Sequence, residues 1–280
     1  MKLSDKFDHF LIDLDGVVYI GEKPISGSIE TLLILRDLGK NLIFLTNDPR
    51  SSVNDYSEKL NKFGFPAEPQ DIITSSMATA FHIKSTHRDL KHKRAYVVGS
   101  KALKDEIKGI DLELVNGEEG KKADFVIIGG YPGFHYEEIK IASLAIRHGA
   151  YFYATSRDPY IPTDEGLVPA TGSMLASIEV ASGQKAIVGG KPEPIIFEVA
   201  ITRRHLHPKE RLAVIGDRLD SDIIGGKNAG ITTILVLSGS TKEGDLHSSD
   251  LIPDYLIHDL TGLLSEIDTA WNSKIQGRLP

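Results

Sequence analysis

Cysteine is absent from the 280-residue sequence. Thiol catalysis, disulfides and Cys-ligated zinc or iron–sulfur centres are therefore excluded. No run reaches the roughly 18–20 apolar residues that a membrane span requires. The first ten residues, MKLSDKFDHF, have no long apolar core and no small-residue cleavage signal, so they do not read as a signal peptide. Excess basic charge is missing too. The net charge is −7, which leaves no general electrostatic footprint for nucleic acid. Repeats and low-complexity segments are absent, and no G-x-x-x-x-G-K-[ST] phosphate loop occurs. The expectation is a soluble cytoplasmic protein with no nucleic-acid or membrane partner. If its substrate is anionic, positive charge must come locally, from a metal, a lysine or a helix N-terminus.

Apolar runs alternate with amphipathic ones along the whole length. FLIDL, NLIFLT, AYVVG, DFVIIGG, YFYAT, KAIVGG, RLAVIGD and TTILVLSG read as buried strands. Between them, GSIETLLILRDLG, SVNDYSEKLNKFG, Ser75 to His87, YEEIKIASLAIRHG, TGSMLASIEVASG and EPIIFEVAITRRHL carry helical spacing. Such βα alternation predicts parallel sheets with helices on both faces. The charged stretch RDLKHKR, starting at Arg88, reads as a linker where a second βα series begins.

Ligands of open parallel sheets sit outside the carboxyl ends of the strands. Polar clusters fall at four such ends: Asp13 and Asp15, then Thr46 and Asn47, then Lys191, then Asp217 with Asp220 and Asp222. Together they make an inventory for one divalent cation and one phosphate. Mg²⁺ takes carboxylate and carbonyl oxygens, here Asp13, Asp217 and the main-chain carbonyl of Asp15. The hydroxyl, amide and ammonium of Thr46, Asn47 and Lys191 can donate to phosphoryl oxygens. A carboxylate can attack phosphorus, and a second acid can protonate the leaving oxygen and then activate water. Alternation along a strand puts residues 13 and 15 on one side, so one backbone segment could present both carboxylates. Histidines offer no competing centre. His82, His87 and His92 are five apart, which rotates around a helix, and His205 and His207 sit beside Pro208 in a loop.

DLDGVVY, LTNDPRS, VGGKPEPIIF and GDRLDSDI resemble, in order and spacing, the four motifs of the haloacid dehalogenase superfamily, in its 4-nitrophenylphosphatase-like branch of capped small-molecule phosphatases. The resemblance implies a doubly wound, Rossmann-like α/β core built from residues 1–87 and 185–280, with an α/β cap over 88–184 inserted between them. It implies Asp13 as nucleophile and Asp15 as acid/base. Thr46, Asn47, Asp48 and Lys191 are the implied phosphate-site residues. Asp13, Asp15 and Asp217 are the implied Mg²⁺ site, with Asp222 as its outer partner. Asp48 stands where the family commonly has asparagine, and Ser156 where the cap commonly has asparagine. His135 and Ser156 are the candidate substrate contacts of the cap. The implied partner is a small phosphate ester, such as a sugar phosphate, glycerol phosphate or 4-nitrophenyl phosphate, and the branch allows a homodimer through the cap. Phosphotransfer to another hydroxyl through the same intermediate, or phosphosugar binding without turnover, are the alternatives.

Overall fold

Branched and aromatic runs of two to six residues become the strands of two parallel sheets. The computed structural model describes residues 1–163, 165–206, 211–247 and 249–267. His207 and the polar tail after Trp271 lie outside the described residues. The chain divides into two compact units. One comprises residues 1–46, 54–73 and 200–280; the other comprises 47–53 and 74–199. No helix among the described residues is long and apolar enough to cross a membrane.

The first unit holds a six-stranded sheet in the order Tyr255–Ile257, Thr232–Val236, Leu212–Gly216, His9–Asp13, Asn41–Thr46, Ile72–Thr74. His9–Asp13 is parallel to both its neighbours, with Ile12 level with Ile215 on one side and Phe44 on the other. Strand order runs outward in both directions from this centre. The topological switch point therefore lies between His9–Asp13 and Leu212–Gly216, where ligands of such sheets bind. Phe10, Leu11 and Ile12 are fully buried, as a central strand covered on both faces requires.

The second unit holds a five-stranded, all-parallel sheet in the order Ile187–Val188, Tyr151–Ala154, Phe125–Ile128, Arg94–Val98, Glu113–Val115. Its side chains alternate strictly between two cores, as strand pleating dictates. Tyr96, Val98, Val126, Ile128, Phe152 and Ala154 pack with Ile141, Ala145, Ile146, Leu175 and Ile178 from the helices Tyr136–Arg147 and Thr171–Ser182. On the other face, Ala95, Val97, Phe125, Ile127 and Tyr153 meet Leu103 and Ile107 of the helix Lys101–Lys108, and Ala80 and Ile83 of the helix Ser75–Thr86. Each fully buried aliphatic side chain of this kind contributes about 1.5–3 kcal/mol.

The helix Ser75–Thr86 and the strand Ile187–Val188 both pack with this second sheet. The helix Ser75–Thr86 covers one of its faces, and Ile187–Val188 pairs with Tyr153 and Ala154. His87 is absorbed in the same packing, with Nε2 2.9 Å from the Tyr153 hydroxyl and its ring edge-on to Phe125.

Candidate functional site

In the first unit, three of the four expected acidic positions converge. One carboxylate oxygen each from Asp13, Asp217 and Asp222 lies within 4.8 Å of the others. Sheet register explains the convergence. Asp13 ends its strand beside Leu45, so Thr46 follows one step beyond on the same edge. Ile12 is level with Ile215, so Asp217 emerges two residues on at that edge too. Asp222 is brought back by a π-helical turn, Leu219–Ile223, directly after the Leu212–Gly216 strand. Asp217 and Asp222 are 2% and 1% exposed, a burial that carboxylates tolerate only with compensating partners.

Some of those partners are main-chain donors. Ser240 donates its N–H to Asp217 Oδ2, and Thr241 N–H donates to the Asp217 carbonyl at 3.1 Å. Arg218 N–H donates to Asp222 Oδ2 at 3.2 Å. The backbone must come very close to hold these acids. A Cβ at Gly239 would stand 2.1 Å from Asp217 Oδ2, and one at Gly16 would stand 2.5 Å from it. Gly16 also has φ +80°, a conformation that costs a Cβ-bearing residue energy. The pair of serines around Gly239 at a strand end is the weak sequence signal for this support.

Asp15 sits differently. The strand stops at Asp13, and residues 14–19 turn, with Val18 N–H donating to the Leu14 carbonyl at 2.9 Å and Gly16 N–H to the Tyr19 carbonyl at 2.8 Å. Strand alternation therefore does not govern residue 15. Its side chain is exposed and lies outside the three-carboxylate cluster. Asp220 turns to the surface and pairs with Arg218 at 3.0 Å.

In the second unit, Asn47 and Lys191 meet. Lys191 N–H donates to Asn47 Oδ1 at 2.8 Å, and Asn47 Nδ2 donates to the Lys191 carbonyl at 2.9 Å. Asn47 Nδ2 also donates to Asp158 Oδ2 at 2.8 Å. Asp158 precedes Pro159, and in sequence an Asp-Pro pair reads as ordinary loop chemistry. Lys191 is 2% exposed. Asp48 is clamped by Arg50, whose Nε and Nη2 each donate to one of its oxygens at 2.8 Å, with Arg50 N–H adding a bond at 3.0 Å. The extra negative charge at this position is thus offset by an adjacent guanidinium.

The two cap candidates have structural partners. His135 is exposed and caps the helix Tyr136–Arg147, its N–H donating to Glu138 Oε2 at 3.2 Å. Ser156 is buried, and its hydroxyl accepts the Asp158 N–H at 3.4 Å. Neighbouring Arg157 donates to Glu179 Oε1 at 2.9 Å, while Lys185 donates to Glu179 Oε2 at 2.6 Å and Ala186 N–H to Oε1 at 3.1 Å. Burial raises the Glu179 carboxyl pKa, but these donors outweigh it and hold the group below its ordinary range. Glu179→Gln is therefore expected to cost about 1–3 kcal/mol near neutral pH. A depressed carboxylate contributes fully above its unfolded pKa of about 4.3 and loses that contribution as pH falls through the lower folded value. Urea unfolding at pH 7 and at pH 3 should show the difference between parent and variant shrinking in acid.

Residues 10–113 match a family described as haloacid dehalogenase-like hydrolase, and residues 188–263 match one described as HAD-hydrolase-like. The 5'-nucleotidase YutF of Bacillus subtilis is 36% identical over 252 residues, which span 90% of this chain and 95% of that protein. An acid sugar phosphatase of Staphylococcus epidermidis is 32% identical over 94% of this chain and 98% of its own length. Among solved structures, the glycerol phosphate phosphatase of Mycobacterium tuberculosis in complex with magnesium superposes with a TM-score of 0.86 at 32% identity, covering 94% of this chain and 78% of that one. The 4-nitrophenylphosphatase of Thermotoga maritima gives a TM-score of 0.85 at 35% identity, covering 94% and 98%.

Proposed function

This chain belongs to the haloacid dehalogenase-like hydrolases, and on that premise we propose that it is a Mg²⁺-dependent phosphatase that hydrolyses small phosphate monoesters through an aspartyl-phosphate on Asp13. The observation that carries the reading is the cluster of Asp13, Asp217 and Asp222 at the switch point of the first sheet. Its donors are all oxygen, which suits Mg²⁺ and disfavours zinc. The backbone packs closely against the Asp217 carboxylate at residues 16 and 239. Asp13 and Asp217 would hold the ion, with the Asp15 carbonyl and with Asp222 near or in its outer shell. When bound, Mg²⁺ supplies positive charge that neutralises the phosphoryl oxygens.

The chain's own residues do the rest. An oxygen of Asp13 attacks phosphorus and forms a new P–O bond as the ester P–O bond breaks. Asp15, exposed at the sheet edge, gives its proton to the departing oxygen. It then takes a proton from water, whose oxygen attacks phosphorus. The bond to Asp13 breaks, and inorganic phosphate leaves. Thr46 and Lys191 donate a hydroxyl and an ammonium hydrogen to the phosphoryl oxygens. Substrate choice would be set by the inserted unit, since the four motifs contribute the chemistry.

The relatives' substrates define the panel: nucleoside monophosphates, sugar phosphates, glycerol phosphate and 4-nitrophenyl phosphate. Phosphate release in Mg²⁺ is expected from 4-nitrophenyl phosphate and from at least one metabolite class. Transfer of phosphate to an added sugar without net release would replace hydrolysis by phosphotransfer, and silence with every ester would reject the reading.

The glycine support makes a further expectation. Gly239→Ala would drive a methyl group into Asp217, so the Mg²⁺ concentration for half-maximal activity should rise about 10–100-fold. An unchanged metal titration, with the circular dichroism spectrum of the parent, would show that Asp217 is not held through this approach.

A further inference from the structure

Asn47 has two side-chain N–H donors and one carbonyl oxygen. Nδ2 is committed to the Asp158 carboxylate at 2.8 Å and to the Lys191 carbonyl at 2.9 Å. Oδ1 accepts from Lys191 N–H at 2.8 Å. The orientation of the amide is dictated by chemistry, because a main-chain N–H only donates and a main-chain carbonyl only accepts. Both donors that could have reached a phosphoryl oxygen are therefore in use.

The amide grips the Lys191 peptide from both sides, much as a neighbouring strand would. Close packing supports the grip. A Cβ at Gly190 would stand 2.5 Å from Asn47 Oδ1 and 2.4 Å from the Thr155 carbonyl. Asn47 is itself tied, since Ser75 Oγ donates to its carbonyl at 2.7 Å. Asp158 is anchored through its own backbone. Its N–H donates to Ser156 Oγ at 3.4 Å, and its carbonyl accepts from Gly172 N–H at 2.8 Å. An ionised acceptor makes the stronger kind of hydrogen bond, so Asp158 is the fixed end of the chain of contacts.

We infer that Asp158 is a positioning residue for Lys191, acting through the Asn47 side chain, and that this side chain serves the Lys191 peptide and not the phosphate. The inference rests on the phosphate role proposed above for Lys191. It assigns Asp158 a task that neither its loop position nor its sequence context announces. It also explains why residue 47 needs an amide. A carboxylate there would face Asp158 with like charge and lose both donors, and an alanine would release the Lys191 peptide.

The test is a cycle of Asn47→Asp, Asp158→Asn and the double variant, read by calorimetric binding of inorganic phosphate in Mg²⁺ and by KM for 4-nitrophenyl phosphate. Asn47→Asp should weaken phosphate binding roughly tenfold or more, through two opposed carboxylates and the loss of both side-chain donors. Asp158→Asn keeps an acceptor oxygen and should change binding by less than about threefold. The double variant should recover the part of the loss that comes from the opposed carboxylates, because the new amide donates to the new carboxylate, while the lost donation to the Lys191 carbonyl keeps it weaker than the parent. If the Asn47 side chain contacted phosphate directly, the double variant would remain as poor as Asn47→Asp, and the inference would fall. Asp158→Ala guards against a cycle obscured by misfolding. It removes the acceptor without adding charge, and parent-like phosphate affinity and KM in that variant would also overturn the inference. A parent that binds phosphate yet hydrolyses no ester would defeat the hydrolase reading and still let the cycle decide this one.

Discussion

Asp13→Asn should release no measurable phosphate from any ester, a loss on the order of 10⁴-fold or more, and should acquire no covalent phosphate. The amide that replaces the carboxylate cannot attack phosphorus, and a site of three clustered carboxylates loses one of its oxygens for the cation as well. Asp15→Asn should behave differently, because it keeps the nucleophile. Its side chain lies outside the carboxylate cluster and is exposed, so its loss falls on proton transfer. With an alkyl phosphate, whose leaving oxygen needs a proton, turnover should drop about 10²–10⁴-fold. With 4-nitrophenyl phosphate the leaving group departs as a stable anion, so the first step should suffer much less. Water activation still fails, and label should accumulate on the protein. Rapid quench with labelled ester, followed by hydroxylamine, reads both variants. Label trapped on Asp13→Asn would refute the nucleophile assignment, and equal loss of cleavage for both esters in Asp15→Asn would refute the acid role.

Removal of divalent cations should be equally severe. Activity should vanish in EDTA and return with Mg²⁺, with Mn²⁺ or Co²⁺ as partial substitutes. Three clustered carboxylates, two of them almost wholly buried, repel one another, and a cation relieves that repulsion. Thermal stability should accordingly rise when Mg²⁺ is added, even without substrate. Zn²⁺ should serve poorly, because the donors include neither His nor Cys. Ca²⁺ should bind and inhibit, since its longer bonds and larger ligand number would loosen in-line geometry. Full turnover after exhaustive dialysis against EDTA would remove the metal from the reaction. A melting temperature indifferent to Mg²⁺ would show that the cluster does not hold it.

The strand ends that carry the candidate site residues were legible in one dimension. Strand-length apolar runs ending in Asp13, Thr46 and Asp217 fall where an α/β sheet presents ligands, and they occupy one edge of the first sheet in register. Hydrophobic alternation encodes burial, and a carboxylate after a buried run has few places to go. The alternation argument failed at Asp15, because a turn held by the Leu14 carbonyl replaces the strand one residue earlier. The resemblance places His135 and Ser156 in the cap as candidate substrate contacts, and residue type alone does not show their partners within the chain. Their first partners are Glu138 and the Asp158 N–H.

Residue order and composition were enough for the alternating βα order, the strand ends that carry acids, the absence of thiol chemistry and of Cys-ligated zinc, and the family. Tertiary structure alone decided which sheet each strand joins and which partner each polar group takes. A buried run such as that around Ile187–Val188 is equally apolar in either sheet, and only its pairing with Tyr153 and Ala154 assigns it to the second. Residue type likewise tells what a side chain can donate, not where the donation goes. Asn47 could have faced a phosphate, yet packing brings Lys191 and Asp158 to it across long stretches of chain. Asp48 could have repelled one, and Arg50 occupies it instead. Hydrogen bonds are directional and short, so such choices are settled only once the backbone has placed both ends within about 3 Å.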